Sequence, residues 1–198
     1  MAIVGPSIAE PMTVDFSVLD INTFGITAPD SYNLDGVTFR YDNFGSEYDT
    51  AQVDQYGIFG STYGSVIFDF DDPATGLDFS FSLMGVSSAI EDSLYITFKP
   101  SGEGEGGSGD VDMMVSSIFA PYDPEDPTQG GDAVGTLSYS GEAFTQAIMF
   151  FSNDAPYFSV SNLSYEPEND PTPVPEPSGL LALSGSLLAL GGLIRLRK

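Results

Sequence analysis

The sequence predicts an all-β protein: a β-sandwich or jelly-roll-like single domain, followed by a Pro-rich spacer and one C-terminal transmembrane helix. Three observations carry that expectation. Apolar and polar residues alternate with period two through the middle of the chain, as strands with one buried face require. Turn formers abound, 22 glycines and 14 prolines in 198 residues, and no sustained helical repeat occurs before residue 178. Composition then changes abruptly near Pro171: all 29 acidic residues precede residue 178, whereas three of the five basic ones follow it.

Residues 1–9 come first. Met1-Ala2-Ile3-Val4 is apolar and Ser7-Ile8-Ala9 fits a small-x-small signal-peptidase site with Ala9 at the cut, but no basic segment precedes the apolar run and the run is short. Two readings fit: the tail of a signal peptide whose start lies upstream, which we prefer, or an ordinary first strand.

The expected body is residues 10–166. In Leu77-Asp78-Phe79-Ser80-Phe81-Ser82-Leu83 every odd position is apolar and every even one polar, a half-buried strand. Ser65-Val66-Ile67-Phe68-Asp69-Phe70 precedes it, and Asp71-Asp72-Pro73-Ala74-Thr75-Gly76 reads as the turn of a hairpin. Further strands are expected at 12–18, 37–41, 93–98, 111–116, 133–139, 146–151 and 157–165, with loops at 102–109 and 121–132. A domain of this length buries roughly 70% of the surface its unfolded chain exposes, and 15 Phe with 10 Tyr supply the core.

The spacer, residues 167–177, contains Pro167, Pro171, Pro173, Pro175 and Pro177, which forbid helix and sheet ladders and leave an extended chain. Residues 178–198 form the last segment. Its stretch 179–194 is uncharged, and as a helix it spans about 24 Å against roughly 30 Å of bilayer hydrocarbon. Arg195, Arg197 and Lys198 can snorkel and act as a cytoplasmic basic stop, placing the acidic body outside. The alternative is a buried terminal helix of the soluble domain.

The order Val174-Pro175-Glu176-Pro177-Ser178-Gly179, an apolar Leu/Ala/Gly segment, then Arg195-Leu196-Arg197-Lys198 resembles the PEP-CTERM sorting signal of exported Gram-negative proteins. The resemblance covers residues 173–198 and implies that Pro175, Glu176 and Pro177 are read by an exosortase, a membrane-embedded processing enzyme. It further implies an inner-membrane-anchored precursor delivered to the cell surface or the extracellular matrix. A plain linker before a permanent anchor remains the alternative.

Composition excludes several chemistries. With no His and no Cys, Ser-His-Asp and Cys-His centres, zinc fingers and haem or iron–sulfur ligation are out. A formal net charge of -24 argues against nucleic acid, whose phosphates need Lys and Arg. No carboxylate pair has an informative spacing for glycoside hydrolysis, so the chain reads as non-catalytic and without a required cofactor. Calcium is the candidate cation, at Asp69, Asp71 and Asp72, at Asn33 and Asp35, or at Asp110 and Asp112, against solvated acids at strand ends. Tyr41, Tyr48, Tyr56 and Tyr63 recur in a polar, Gly-rich region and are candidate faces for sugar rings, against core or edge packing. The expected role is thus structural or adhesive within an exopolysaccharide matrix, and the alternative is a calcium-dependent carbohydrate-binding module exported the same way.

Overall fold

A computed structural model describes residues 10–19, 22–101, 109–126, 128 and 130–168. The predicted signal remnant with Ala9, the spacer from residue 169, the Pro175-Glu176-Pro177 motif, the segment 179–194 and the basic end at Arg195, Arg197 and Lys198 all lie outside the described residues. Among the described residues no helix is long and apolar enough to cross a membrane.

The described chain is all-β and antiparallel. In order the strands are β1 (Met12–Thr13), β2 (Phe24–Gly25), β3 (Tyr32–Leu34), β4 (Val37–Asp42), β5 (Ala51–Asp54), β6 (Gly57–Ser61), β7 (Ser65–Val86), β8 (Leu94–Pro100), β9 (Val111–Val115), β10 (Ile118–Pro121), β11 (Gly131–Phe151) and β12 (Tyr157–Pro167). The backbone of the sheet runs β2-β5-β6-β12-β7-β11-β8-β9, with β4 on β7, β3 on β4, β10 on β11 and β1 on β12.

Two long strands organise everything else. The front of β7 pairs with β4 and with the rear of β11, while the rear of β7 pairs with β12 and with the front of β11. Both strands therefore run through two halves of one sheet, and the register breaks between Ser140 and Phe144 where they bend. Such irregularities let a strand turn a corner between layers. Ring contacts show that the halves face each other: Phe68 meets Phe79 at 6.3 Å, Phe70 meets Tyr165 at 5.3 Å, Phe81 meets Phe151 at 5.9 Å and Phe151 stacks on Phe158 at 4.4 Å. Phe98 and Tyr139 close the same core at 4.0 Å.

This bend corrects the expected hairpin. Residues 71–76 continue one strand because β11 runs beside both sides of the segment, and its backbone is used in place: Asp71 N–H donates to Gly36 O at 2.9 Å and Pro73 O accepts from Glu168 N–H at 2.6 Å. The inward positions shift from Val66, Phe68, Phe70 and Ala74 to Leu77, Phe79, Phe81 and Leu83. A parity change of that kind marks a bend as readily as a turn. The expected strands 133–139 and 146–151 are likewise one strand, β11.

The expected strand over 12–18 is also corrected. Only Met12–Thr13 pairs, and a 3-10 helix follows at Phe16–Leu19. Asp15 explains the switch, since its carboxylate accepts from Ser17 N–H at 3.0 Å and Ser17 Oγ at 2.6 Å, a local bond that competes with a ladder. At the other end Pro167 still pairs with Ala74, so the body extends past the expected boundary at residue 166.

Five strands went unread in the sequence: β2, β3, β5, β6 and β10. β2, β5 and β10 are only two to four residues long and β6 is Gly-rich, while the β3–β4 hairpin turns on Asp35-Gly36 with φ of 50° and 80°, the signature of a two-residue turn with both central residues left-handed. Gly57 is required for a different reason: at φ 130°, an added Cβ would sit 2.0 Å from Val160 O on the neighbouring strand.

Candidate functional site

Most of the acidic candidates are already engaged by the fold. Asp69 projects from β7 into a fork formed by Arg40 of β4, with Nε at 2.6 Å and Nη2 at 3.1 Å, and it accepts a third bond from Gln146 Nε2 at 2.6 Å. Its charge raises the Arg40 pKa, mainly through that hydrogen bond. Asp71 accepts from Asn33 Nδ2 at 3.3 Å, and Asp72 is exposed. Asn33 also donates to Thr38 Oγ1 at 2.8 Å, while Asp35 accepts from Asp15 N–H at 2.8 Å. Asp110 pairs with Lys99 at 2.5 Å and Asp112 accepts from Thr97 Oγ1 at 2.8 Å. No group of three or more acidic side chains among the described residues is placed to hold a metal ion.

The four tyrosines part company. Tyr41 is fully buried on β4, donates to Ser61 O at 2.9 Å, and has its pKa pushed up to about 12 by desolvation. It is a core residue, which removes it from any sugar-facing role. Tyr56 is exposed at the β5–β6 turn, held by its N–H donating to Asp54 Oδ1 at 2.8 Å. Tyr48 and Tyr63, 93% and 55% exposed, line one shared cleft.

That cleft, about 200 Å³, is built on the outward face of β5, β6 and the start of β12. Phe59 of β6 points outward because its neighbours Ile58 and Gly60 point in, and across the ladder it lies opposite Gln52 on one side and Ser159 on the other. Tyr157 stacks on Phe59 with ring centres 5.6 Å apart and planes 25° apart. Asp49 stands in the wall, its carboxylate accepting from Ser61 Oγ at 2.6 Å. Hydrogen bonds from Ser46 and Ser61 hold that carboxyl below its ordinary pKa. Aromatic rings, an ionised carboxylate and the Gln52 amide thus surround one solvent-open space.

A second groove of about 520 Å³ continues on the same face. The transverse row Gln52, Phe59, Ser159, Ser82, Val134, Ile118 crosses β5, β6, β12, β7, β11 and β10 in register, so cleft and groove share a common line of side chains. Ser80, Ser161 and Thr136 border it, and Ser82 Oγ is buried there without a partner.

The sequence singled out Tyr48 and Tyr63 but missed Phe59 and Tyr157. Phe59 lies between two glycine-rich stretches, and Tyr157 sits at the start of an alternating strand whose outward face had no visible partner. Only the β6–β12 pairing brings them together.

No family model matches the chain, and the search of curated proteins found no match. Among solved structures the chain is similar to the K3 cleaved adhesin domain of Lys-gingipain from Porphyromonas gingivalis, at 9% identity and TM-score 0.43, covering 78% of this chain and 98% of that one. It is also similar to a family 11 carbohydrate-binding module from Clostridium thermocellum in complex with a mixed-linked tetrasaccharide, at 12% identity and TM-score 0.32, covering 82% and 98%. The xylanase 10B CBM22-1-GH10 modules from Clostridium thermocellum match at 10% identity and TM-score 0.36, covering 82% and 28%. Likenesses this distant assign no ligand.

Proposed function

We propose that this chain is an exported, non-catalytic domain that holds polysaccharide at a cell surface or in an extracellular matrix, through the cleft between Tyr48, Tyr63, Phe59 and Tyr157. The observation that carries the reading is the convergence of three exposed rings, Tyr48, Tyr63 and Tyr157, with the half-buried Phe59 on one cleft. Large aromatic side chains left in solvent around a concavity mark an interaction surface, and a tyrosine offers both an apolar face and a polar tip. Pyranose rings present just such a mixture, with apolar C–H faces and hydroxyl rims for Gln52 and Asp49 to bind.

A binding role also suits the cleft's electrostatics better than catalysis. A glycosidase needs one carboxylic acid with a raised pKa to protonate the leaving group, and Asp49 is shifted the opposite way. The test is affinity electrophoresis through gels containing matrix polysaccharide from the producing cells. We expect retardation that Tyr48→Ala with Tyr157→Ala abolishes while the melting temperature changes by less than about 2 °C, as for other exposed substitutions. Unaltered retardation of the double variant would remove the reading.

The delivery route proposed with it is exosortase sorting through Pro175, Glu176 and Pro177. Support comes from the order of proline motif, uncharged segment and basic end at residues 173–198. A proline on each side of Glu176 fixes an extended backbone that a processing groove accepts at little ordering cost. Mass spectrometry of the native C-terminal peptide tests it: a terminus near Pro175 to Pro177 that disappears when exosortase is deleted supports sorting. Lys198 as the terminus would mean a retained anchor.

A further inference from the structure

Charge limits what the cleft can hold. The described residues contain two basic side chains, and both are spent within the fold: Arg40 on Asp69 and Lys99 on Asp110. Neither borders the cleft. A uronate, sulfate or phosphate on a sugar chain would therefore meet no free cation there, and would approach a chain whose net charge is -24. Such a surface repels polyanions and concentrates polycations within a Debye length.

The cleft itself is arranged for positive charge. Asp49 lies in the wall with Tyr48 and Tyr63, and its hydrogen bonds from Ser46 and Ser61 keep it ionised at mildly acidic pH, where amino sugars are protonated. The π faces of tyrosines carry the negative side of the ring quadrupole and attract ammonium groups. We propose that the glycan taken by this cleft carries protonated amino groups, one ammonium seated between a tyrosine ring and the Asp49 carboxylate, with the sugar ring on the Phe59–Tyr157 side. This rests on the polysaccharide reading above and names its ligand class.

The experiment compares chitosan oligosaccharides, fully N-acetylated chitin oligosaccharides of equal length and oligouronates by calorimetry on the full chain. The amine form should bind about tenfold more tightly than the acetylated form and weaken as salt is added. Asp49→Asn should reduce amine binding by up to about fivefold, the upper end for one exposed ion pair, and narrow the preference for the amine over the acetylated form. The asparagine keeps an acceptor for Ser61 Oγ, and a thermal melt of the variant checks that the fold is intact. Glu91→Gln, an exposed acid outside the cleft, should be silent. Equal binding of amine and acetylated oligomers would overturn the charge inference and leave the polysaccharide reading standing. Equal losses from Asp49→Asn and Glu91→Gln would reduce the effect to attraction by the acidic surface, which also overturns it. Tighter binding of oligouronates would overturn it outright, and binding of none of the three would sink both readings.

Discussion

Replacing Phe158 by alanine tests whether the two halves of the sheet close on each other, since this ring lies where they meet. It is fully buried on β12, stacks on Phe151 of β11 with centres 4.4 Å apart and planes 11° apart, and faces Tyr41 of β4 at 6.4 Å. On its own side it rests against Gly60, where a built Cβ would come within 2.9 Å of the ring. Truncating a buried phenylalanine costs about 3–5 kcal/mol, the spread reflecting how far the site can collapse. Here the surrounding strands are fixed by ladders and Gly60 has no side chain to move in, so the upper part of the range applies, about 4–5 kcal/mol. For a domain near 150 residues each kcal/mol lowers the melting temperature by about 2–4 °C, giving an expected fall of about 8–20 °C. Thermal melts by circular dichroism measure it, with Tyr56→Ala, 77% exposed, as a control that should shift by less than about 2 °C. A fall below about 4 °C for Phe158→Ala would refute the facing-halves arrangement. It would also loosen the placement of Tyr157, which lines the cleft, and Ser159, which lines the groove beside it, both facing outward because Phe158 points in.

Other perturbations separate parts of the structure. Gly57→Ala drives a methyl group into Val160 O and should cost about 3 kcal/mol or more through strain and lost β6–β12 pairing, read as a lowered denaturation midpoint; an unchanged midpoint would contradict the packing at that turn. Tyr41 has a folded-state pKa of about 12 against 10.0 unfolded, so its contribution is complete below pH 10 and disappears as pH rises through 12. Tyr41→Phe should accordingly flatten the alkaline loss of stability between those values, and an identical pH profile would argue against a desolvated hydroxyl. Millimolar calcium should leave the melting temperature unchanged, because Arg40 and Gln146 already satisfy Asp69; a rise of several degrees would reinstate the Asp69, Asp71 and Asp72 site. Arg40→Leu should lower stability by about 1 kcal/mol, as expected for a partly exposed bidentate pair, and a much larger loss would mean that the pair is more deeply enclosed than its geometry indicates.

Local pattern alone was enough for the all-β class, most strand positions and the acidic character of the surface. Alternation such as Leu77 to Leu83 states which side chains enter the core, and no distant residue is needed to read it. It could not distinguish a turn at residues 71–76 from a bend, because polar, proline-containing residues suit both; the presence of β11 alongside made it a bend. Nor could it separate Tyr41 from Tyr48 and Tyr63, since all three stand in similar local company. Burial is a property of what packs opposite, and Tyr41 met Phe158 whereas the other two met solvent. The cleft belongs wholly to the tertiary structure. Its rings come from residues 48, 59, 63 and 157, and only the pairing of β12 with β6 carries the last of them across nearly one hundred residues of chain to stack on Phe59.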